Sequence, residues 1–130
     1  MAGIYIHIPF CRSKCAYCDF FSTPDAKWMH RYVDALINEA ALRLNEIGEQ
    51  YTTLYLGGGT PSLLSDDLLR FLFDGLSRFI DISKMEEVTL EANPEDITPH
   101  KTDFFQSLGI NRISIGIQSF NDTELQSVSR

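Results

Sequence analysis

The sequence predicts an α/β fold in which parallel strands alternate with helices. Four strand-like apolar segments recur along the 130 residues, and a segment with helix start signals follows each of them. Strict alternation implies parallel strands joined by right-handed crossovers, as in a doubly wound sheet or part of a TIM-like barrel. A full barrel needs about 250 residues. We therefore expect residues 1–130 to be the truncated amino-terminal part, roughly the first half, of a barrel domain.

The first unit begins with GIYIHI at residues 3–8, where isoleucine occupies every second position and a proline ends the run. This alternation is typical of a buried strand that leads into a loop. Thr23, Pro24 and Asp25 then form a helix start signal. The helix is expected to continue to Gly48, with an apolar stripe formed by residues four apart: Trp28, Tyr32, Leu36, Ala40 and Leu44.

The second unit repeats this order. YTTLYL at residues 51–56 is predicted to be a strand, and Ser65 followed by two aspartates predicts the start of a helix. The side chains expected to face the core from this helix are Leu68, Leu72, Leu76 and Phe79.

The third and fourth units complete the pattern. EVTLEA at residues 87–92 is predicted to be a strand, and Thr98 before a proline predicts the helix that follows it. NRISIGI at residues 111–117 is predicted to be the fourth strand. Asn121 and Glu124 form a capping box, which predicts the start of a last helix.

Composition and charge exclude several classes of protein. With 44% hydrophobic and 22% charged residues, the chain is typical of a globular domain with one core. Its formal charge of −7 argues against nucleic-acid binding, because phosphate binding needs clustered Lys and Arg. No segment has the pattern of a signal peptide or a membrane span. The clustered cysteines cannot form a disulfide framework, which favours a reducing, cytoplasmic location.

The segment CRSKCAYC contains all three cysteines of the chain, Cys11, Cys15 and Cys18. Three thiolates on one loop can hold three corners of an iron-sulfur cube and leave the fourth iron open to another molecule. The alternative is a zinc site closed by His7 or Asp19. A thioredoxin-like motif is the weakest interpretation, because it would open a helix and would not need the first cysteine. The spacing favours the cluster.

A second candidate segment, LYLGGGTPS at residues 54–62, follows the second strand. Glycines at 57–59 would let the backbone approach a ligand closely, although a tight turn into Thr60 explains them equally well. The segment is neither a phosphate loop nor a dinucleotide fingerprint. Glu91 and Gln118 end the third and fourth strands, so a parallel sheet would bring both to the same rim as the cysteines.

Other notable side chains have ordinary structural interpretations. His30 and His100 are expected at the surface, and His7 is expected to be a hydrogen-bonded strand residue. Phe20 and Phe21 are expected to belong to the core.

Four segments together resemble a known family: IYIHIPFCRSKCAYCDFFS, LYLGGGTPSLL, TLEANPEDIT and RISIGIQSFND. They are similar to the amino-terminal half of radical S-adenosylmethionine proteins of the oxygen-independent coproporphyrinogen oxidase group, and within it to the HemW branch. The similarity extends over essentially the whole chain. The cysteine spacing is specific for the superfamily, and the other motifs are specific for the group.

The resemblance implies a [4Fe-4S] cluster on Cys11, Cys15 and Cys18, with S-adenosyl-L-methionine bound to the fourth iron through its amino and carboxylate groups. It also implies an electron donor. The positions that match the family's cosubstrate contacts are Tyr5, Tyr17, Gly57, Gly58, Gly59, Thr60, Glu91, Gln118 and Arg130.

One position separates two branches of the group. Coproporphyrinogen dehydrogenases carry a fourth cysteine two positions past the third, where this chain has Phe20, as HemW proteins do. The resemblance thus implies a heme chaperone that passes heme to a recipient protein. The alternative is an oxygen-independent oxidase that decarboxylates coproporphyrinogen III to protoporphyrinogen IX, and a more remote one is a zinc-stabilised α/β binding module. The part of the family implicated in heme contact lies beyond residue 130.

Overall fold

The computed structural model describes residues 2–47 and 50–128, and for residues 45–47 it describes the backbone only. Strands and helices alternate, which confirms the predicted α/β class. The strands are β1 (Ala2–Ile8), β2 (Tyr51–Gly58), β3 (Glu87–Ala92) and β4 (Arg112–Ile115). The helices are α1 (Met29–Ile47), α2 (Asp66–Leu76), α3 (Pro99–Ser107) and α4 (Asp122–Ser127).

All four strands are parallel, and their order in the sheet is β1-β2-β3-β4. In a doubly wound sheet the strands stay parallel but the order in which they are added reverses at a switch point. In a barrel each new strand is added beside the previous one. The sequential order therefore selects the barrel-type arrangement. The register places Tyr5, Tyr55, Thr89 and Arg112 in one row across the sheet.

The two faces of the sheet differ because successive side chains of a strand point to opposite sides. One face packs on the helices and forms the apolar core, with buried residues that include Ile6, Ile8, Leu54, Leu56, Val88 and Leu90 from the strands, and Val33, Ile37, Leu69, Leu72 and Phe105 from the helices. The alternate positions Tyr5, His7, Tyr55, Glu91 and Arg112 give the opposite face a polar character. The core is therefore one-sided.

Several expectations about packing were wrong at aromatic positions. Trp28 is 47% exposed, because it lies in a short 3₁₀ turn before α1, where Lys27 and Arg31 stack on its ring. Phe20 and Phe21 are 65% and 78% exposed and lie outside the core. The rest of the α1 stripe packs against the core as expected.

In α2, Leu72 and Leu76 are buried as predicted, and Leu68 packs at the margin of the core. Phe79, which was predicted for the same helix face, lies three residues beyond the end of α2 and also packs at this margin. β4 ends at Ile115, two residues earlier than expected. After it the chain makes tight turns, and Gln118 adopts a positive φ of 67°. None of the described helices combines the length and the apolarity needed to cross a membrane.

Candidate functional site

The carboxyl ends of the four strands surround a cavity of about 850 Å³. The loops that follow all four strands contribute to its wall. Parallel α/β sheets place their ligand sites at this edge. The structure brings most of the sequence-predicted site residues together as lining of this cavity: Cys11, Cys15, Cys18, Tyr17, Gly58, Gly59, Thr60, Glu91 and Gln118.

Two of the predicted residues are described but do not line the cavity, and a third is not described. Tyr5 lies further down the polar face of the sheet, where its ring stacks on Tyr55 at 5.9 Å. Gly57 lies behind Glu91 and not on the cavity wall. Arg130 lies outside the described residues.

The cysteine loop is fixed at its base by backbone hydrogen bonds. Thr23 N–H donates to Pro9 O at 2.7 Å, and Cys11 N–H donates to Thr23 O at 3.1 Å. Cys18 N–H donates to Cys15 O at 3.0 Å, which makes a turn of the CAYC segment. Cys11 is buried, whereas the other two thiols are partly exposed, and all three are free. The loop therefore presents three thiols to one space.

The three thiols are a donor set that an iron-sulfur cluster can use, because each of three irons takes one thiolate. A zinc site needs four ligands around one point, whereas each thiolate of a cubane cluster binds a different iron and the thiolates lie further apart. Within residues 2–47 and 50–128, no three His, Cys, Asp or Glu side chains converge as a group for one ion. His7 is engaged elsewhere: its Nε2–H donates to Phe21 O at 2.9 Å, as expected for a hydrogen-bonded strand residue.

The glycine segment is packed against the start of the cysteine loop. Gly59 N–H donates to Ile8 O at 2.8 Å, and Thr60 N–H donates to Phe10 O at 2.7 Å. A β-carbon on Gly59 would lie 2.5 Å from the Phe10 carbonyl oxygen, and Gly58 has a φ of +116° beside the His7 ring. Both glycines are thus needed for the turn, as one interpretation predicted, and both form cavity wall, whereas close approach of a ligand stays a prediction.

Glu91 is held by hydrogen bonds to both carboxylate oxygens. The Tyr55 hydroxyl donates to Oε1 at 2.6 Å, and Gly58 N–H donates to Oε2 at 3.0 Å. The bond to this carboxylate, followed by burial, raises the pKa of Tyr55. Burial and then the charge of Glu91 raise the pKa of Tyr5. The carboxylate is therefore an oriented negative group facing the cavity.

Sequence reasoning missed a buried carboxylate that contacts Arg12, a residue of the cavity wall. The guanidinium of Arg12 contacts Asp96, and the Ser62 hydroxyl donates to Asp96 Oδ2 at 2.6 Å. The Asp96 side chain is 4% exposed. The sequence signal for Asp96 is only its position in the loop after the third strand, because Arg12 and Ser62 are distant from it in sequence.

Comparison with known proteins gives consistent matches along the chain. The family model described as "Radical SAM superfamily" matches residues 5–130. The heme chaperone HemW of Escherichia coli is 38% identical over 98% of this chain and 35% of its own length. HemW of Bacillus subtilis is 36% identical over 100% of this chain and 35% of its own length. The chain therefore spans about a third of the length of these relatives.

A solved structure shares the fold. Coproporphyrinogen III oxidase (HemN) from Escherichia coli, described as a radical SAM enzyme, superposes with a TM-score of 0.87 and 30% identity. The match covers 98% of this chain and 30% of that chain. These matches agree with the resemblance drawn from the motifs.

Proposed function

We propose, because this chain belongs to the radical S-adenosylmethionine superfamily, that Cys11, Cys15 and Cys18 hold a [4Fe-4S] cluster and that S-adenosylmethionine binds beside it. Membership of the superfamily implies both groups. When bound, the cluster supplies the electron that cleaves a carbon-sulfur bond of S-adenosylmethionine. The observation that carries the proposal is that three free thiols line a cavity shared with the glycine segment.

The residues of this chain would bind and orient the cosubstrate. The Glu91 carboxylate is suited to an ammonium group or to ribose hydroxyls, and the Gln118 amide can both donate and accept. The backbone at Gly58 and Gly59 lets a ligand approach without a β-carbon in the way. Tyr17 offers an aromatic face at the cavity wall. These roles are proposals that rest on the position of each residue in the cavity.

The relatives are heme chaperones by name, and for the whole protein we propose the same function: it binds heme and passes it to a recipient protein. Phe20 supports this branch: it lines the same cavity at the position where the oxidases of the group carry a fourth cysteine. Its phenyl ring offers apolar surface and no metal ligand. An electron donor and a reducing, cytoplasmic compartment belong to the same proposal.

The alternative is oxygen-independent decarboxylation of coproporphyrinogen III. The observation in its favour is the close structural similarity to HemN. Both candidates use the same cluster, so the amino-terminal cavity alone does not separate them. The chaperone and the oxidase differ in what happens to the porphyrin ligand, so the test must follow that ligand.

The test uses the full-length protein, purified and reconstituted anaerobically with iron and sulfide. We expect acid-labile sulfide and about four irons per chain, together with equilibrium binding of S-adenosylmethionine. Heme and coproporphyrinogen III are then added separately. Stable heme uptake without turnover supports the chaperone, and decarboxylated product supports the oxidase. If the protein contained zinc and no acid-labile sulfide, the assignment of a cluster would be overturned and a zinc-stabilised binding module would be favoured.

A further inference from the structure

The polar face of the sheet contains a tyrosine that resemblance to the family does not single out. Tyr55 lies on β2, and its hydroxyl donates a hydrogen bond of 2.6 Å to Oε1 of Glu91 on β3. The register pairs Tyr55 with Thr89, two residues before Glu91. The tyrosine is therefore next to the carboxylate but further from the mouth of the cavity, and it is absent from the cavity wall.

Gly57 provides the space for this hydrogen bond. A β-carbon at this position would lie 2.7 Å from Cε1 of Tyr55 and 3.1 Å from Cδ of Glu91. The first glycine of the segment therefore accommodates the Tyr55 ring and the Glu91 carboxylate on the same side of the sheet. This accounts for a glycine that does not itself line the cavity.

The hydrogen bonds leave Glu91 with defined free acceptor capacity. Each carboxylate oxygen can accept two hydrogen bonds, and within the described part of the chain one is used on each oxygen, from Tyr55 and from Gly58 N–H. The remaining lone pairs are available to a ligand in the cavity that Glu91 lines. Without Tyr55, one oxygen would lose its donor and the side chain could rotate about its last torsion.

We propose that Tyr55 is a positioning residue, which acts through Glu91 to fix the carboxylate acceptor for the cationic or hydroxyl groups of S-adenosylmethionine. This inference rests on the proposed function, because it assigns that cosubstrate to the cavity. Tyr55 does not touch the ligand. It restricts the carboxylate to the geometry that the ligand needs, so its effect appears in cosubstrate affinity and not in cluster content.

Tyr51 supplies a matched control on the same strand. Its hydroxyl is buried and has no hydrogen-bond partner among the described residues. Tyr51→Phe and Tyr55→Phe therefore remove the same atom from the same strand, and only the second removes a bond to Glu91.

The experiment measures equilibrium binding of S-adenosylmethionine to full-length, anaerobically reconstituted protein. We expect Tyr55→Phe to weaken binding about tenfold, the order of a lost hydrogen bond to a charged group, with unchanged iron and sulfide content. Tyr51→Phe should bind within about twofold of the parent protein. Because Tyr55 acts through Glu91, the double variant Tyr55→Phe/Glu91→Gln should bind no more weakly than Glu91→Gln alone.

The outcomes separate the inference from the function on which it rests. If the parent protein assembles a cluster and binds S-adenosylmethionine, but Tyr55→Phe binds as tightly as Tyr51→Phe, the positioning role is overturned and the proposed function stands. Additive losses in the double variant would also overturn it, because they would show a direct or general structural role. If the parent protein binds no S-adenosylmethionine, the proposed function and the positioning role of Tyr55 are both overturned. Should Tyr55→Phe not fold, Glu91→Gln with and without Gly57→Ala provides the same non-additivity test.

Discussion

The guanidinium of Arg12 donates a hydrogen bond of 2.5 Å to the carboxylate of Asp96, which lies 84 residues further along the chain. Arg12 follows the first cysteine, and Asp96 belongs to the loop after β3. The second oxygen of Asp96 accepts from Ser62, in the loop after β2. One buried carboxylate thus joins the loops of three consecutive strands.

Because Asp96 links these loops through Arg12 and Ser62, we predict that Arg12 slows the loss of the proposed cluster although it is not a ligand of it. Arg12→Ala leaves Asp96 buried with one donor fewer, which should cost about 1–2 kcal/mol after allowance for the half-exposed arginine. We expect the reconstituted cluster to be lost about tenfold faster on exposure to a chelator, followed by the decay of its visible absorbance.

The control is Lys84→Ala, which breaks an exposed ion pair with Asp81 remote from the cavity. It should decay like the parent protein. Arg12→Lys keeps a charge in reach of Asp96 and should recover most of the lifetime. Equal decay rates for Arg12→Ala and Lys84→Ala would show that the junction is irrelevant to cluster retention.

A second prediction concerns the thiols. Cys15→Ala should abolish assembly of the [4Fe-4S] cluster, because the loop would keep only two of its three thiolate donors. The measurements are iron and acid-labile sulfide content after anaerobic reconstitution. Ser13→Ala, an exposed change in the same loop, should assemble normally. A full cluster in Cys15→Ala would contradict the ligand assignment.

The sequence predicted the elements that depend on local periodicity. Alternating isoleucines at 3–8 identified β1, and capping residues such as Ser65 identified the start of a helix, since its hydroxyl accepts from Leu68 N–H. Strict alternation was enough to predict parallel strands. The choice between a barrel and a doubly wound sheet required the strand order, which only the three-dimensional pairing shows.

Side chains whose surroundings come from distant segments were predicted less well. Phe20 and Phe21 are apolar, yet they lie on a loop that faces the cavity and solvent, so hydrophobicity alone assigned them wrongly to the core. The partnership of Arg12 and Asp96 has no local signal. The packing of Gly57 against Tyr55 and Glu91 also had no local signal, and its predicted contact with the cosubstrate stays a prediction.

A third prediction tests the packing of the glycine segment. Gly59→Ala would place a β-carbon 2.5 Å from the Phe10 carbonyl oxygen and 2.9 Å from its carbon, and these backbone atoms cannot rotate away. We expect a loss of about 1–3 kcal/mol in the free energy of unfolding, measured by urea titration.

Gly3→Ala is the matched control within the sheet. Its β-carbon would meet the Thr53 hydroxyl at 2.6 Å, but this side chain can change rotamer. The loss should stay below about 1 kcal/mol. If both variants were equally stable, the close approach of the glycine segment to Phe10 would not constrain the fold.

The last prediction concerns stability at alkaline pH. Burial, followed by the charges of Glu39 and Tyr5, raises the pKa of Tyr32 above its ordinary value of 10.0. Its hydroxyl donates to the His7 carbonyl at 2.8 Å, and a phenolate could not donate. A pKa that is higher in the folded state means that the neutral form is favoured there, so this contribution is complete below pH 10.0 and is lost as the pH rises through the folded pKa.

Tyr32→Phe should therefore unfold about 1 kcal/mol more easily near pH 8, because the hydrogen bond is lost. The phenylalanine cannot ionise, so the variant should lose less stability than the parent protein between about pH 8 and about pH 11. Tyr5 and Tyr55 also have raised pKa values, so both proteins should weaken over this range, and the informative quantity is the narrowing of the gap between them. Urea unfolding at the two pH values measures it. If the difference in stability between the two proteins were the same at both pH values, Tyr32 would ionise as easily in the folded protein as in the unfolded chain.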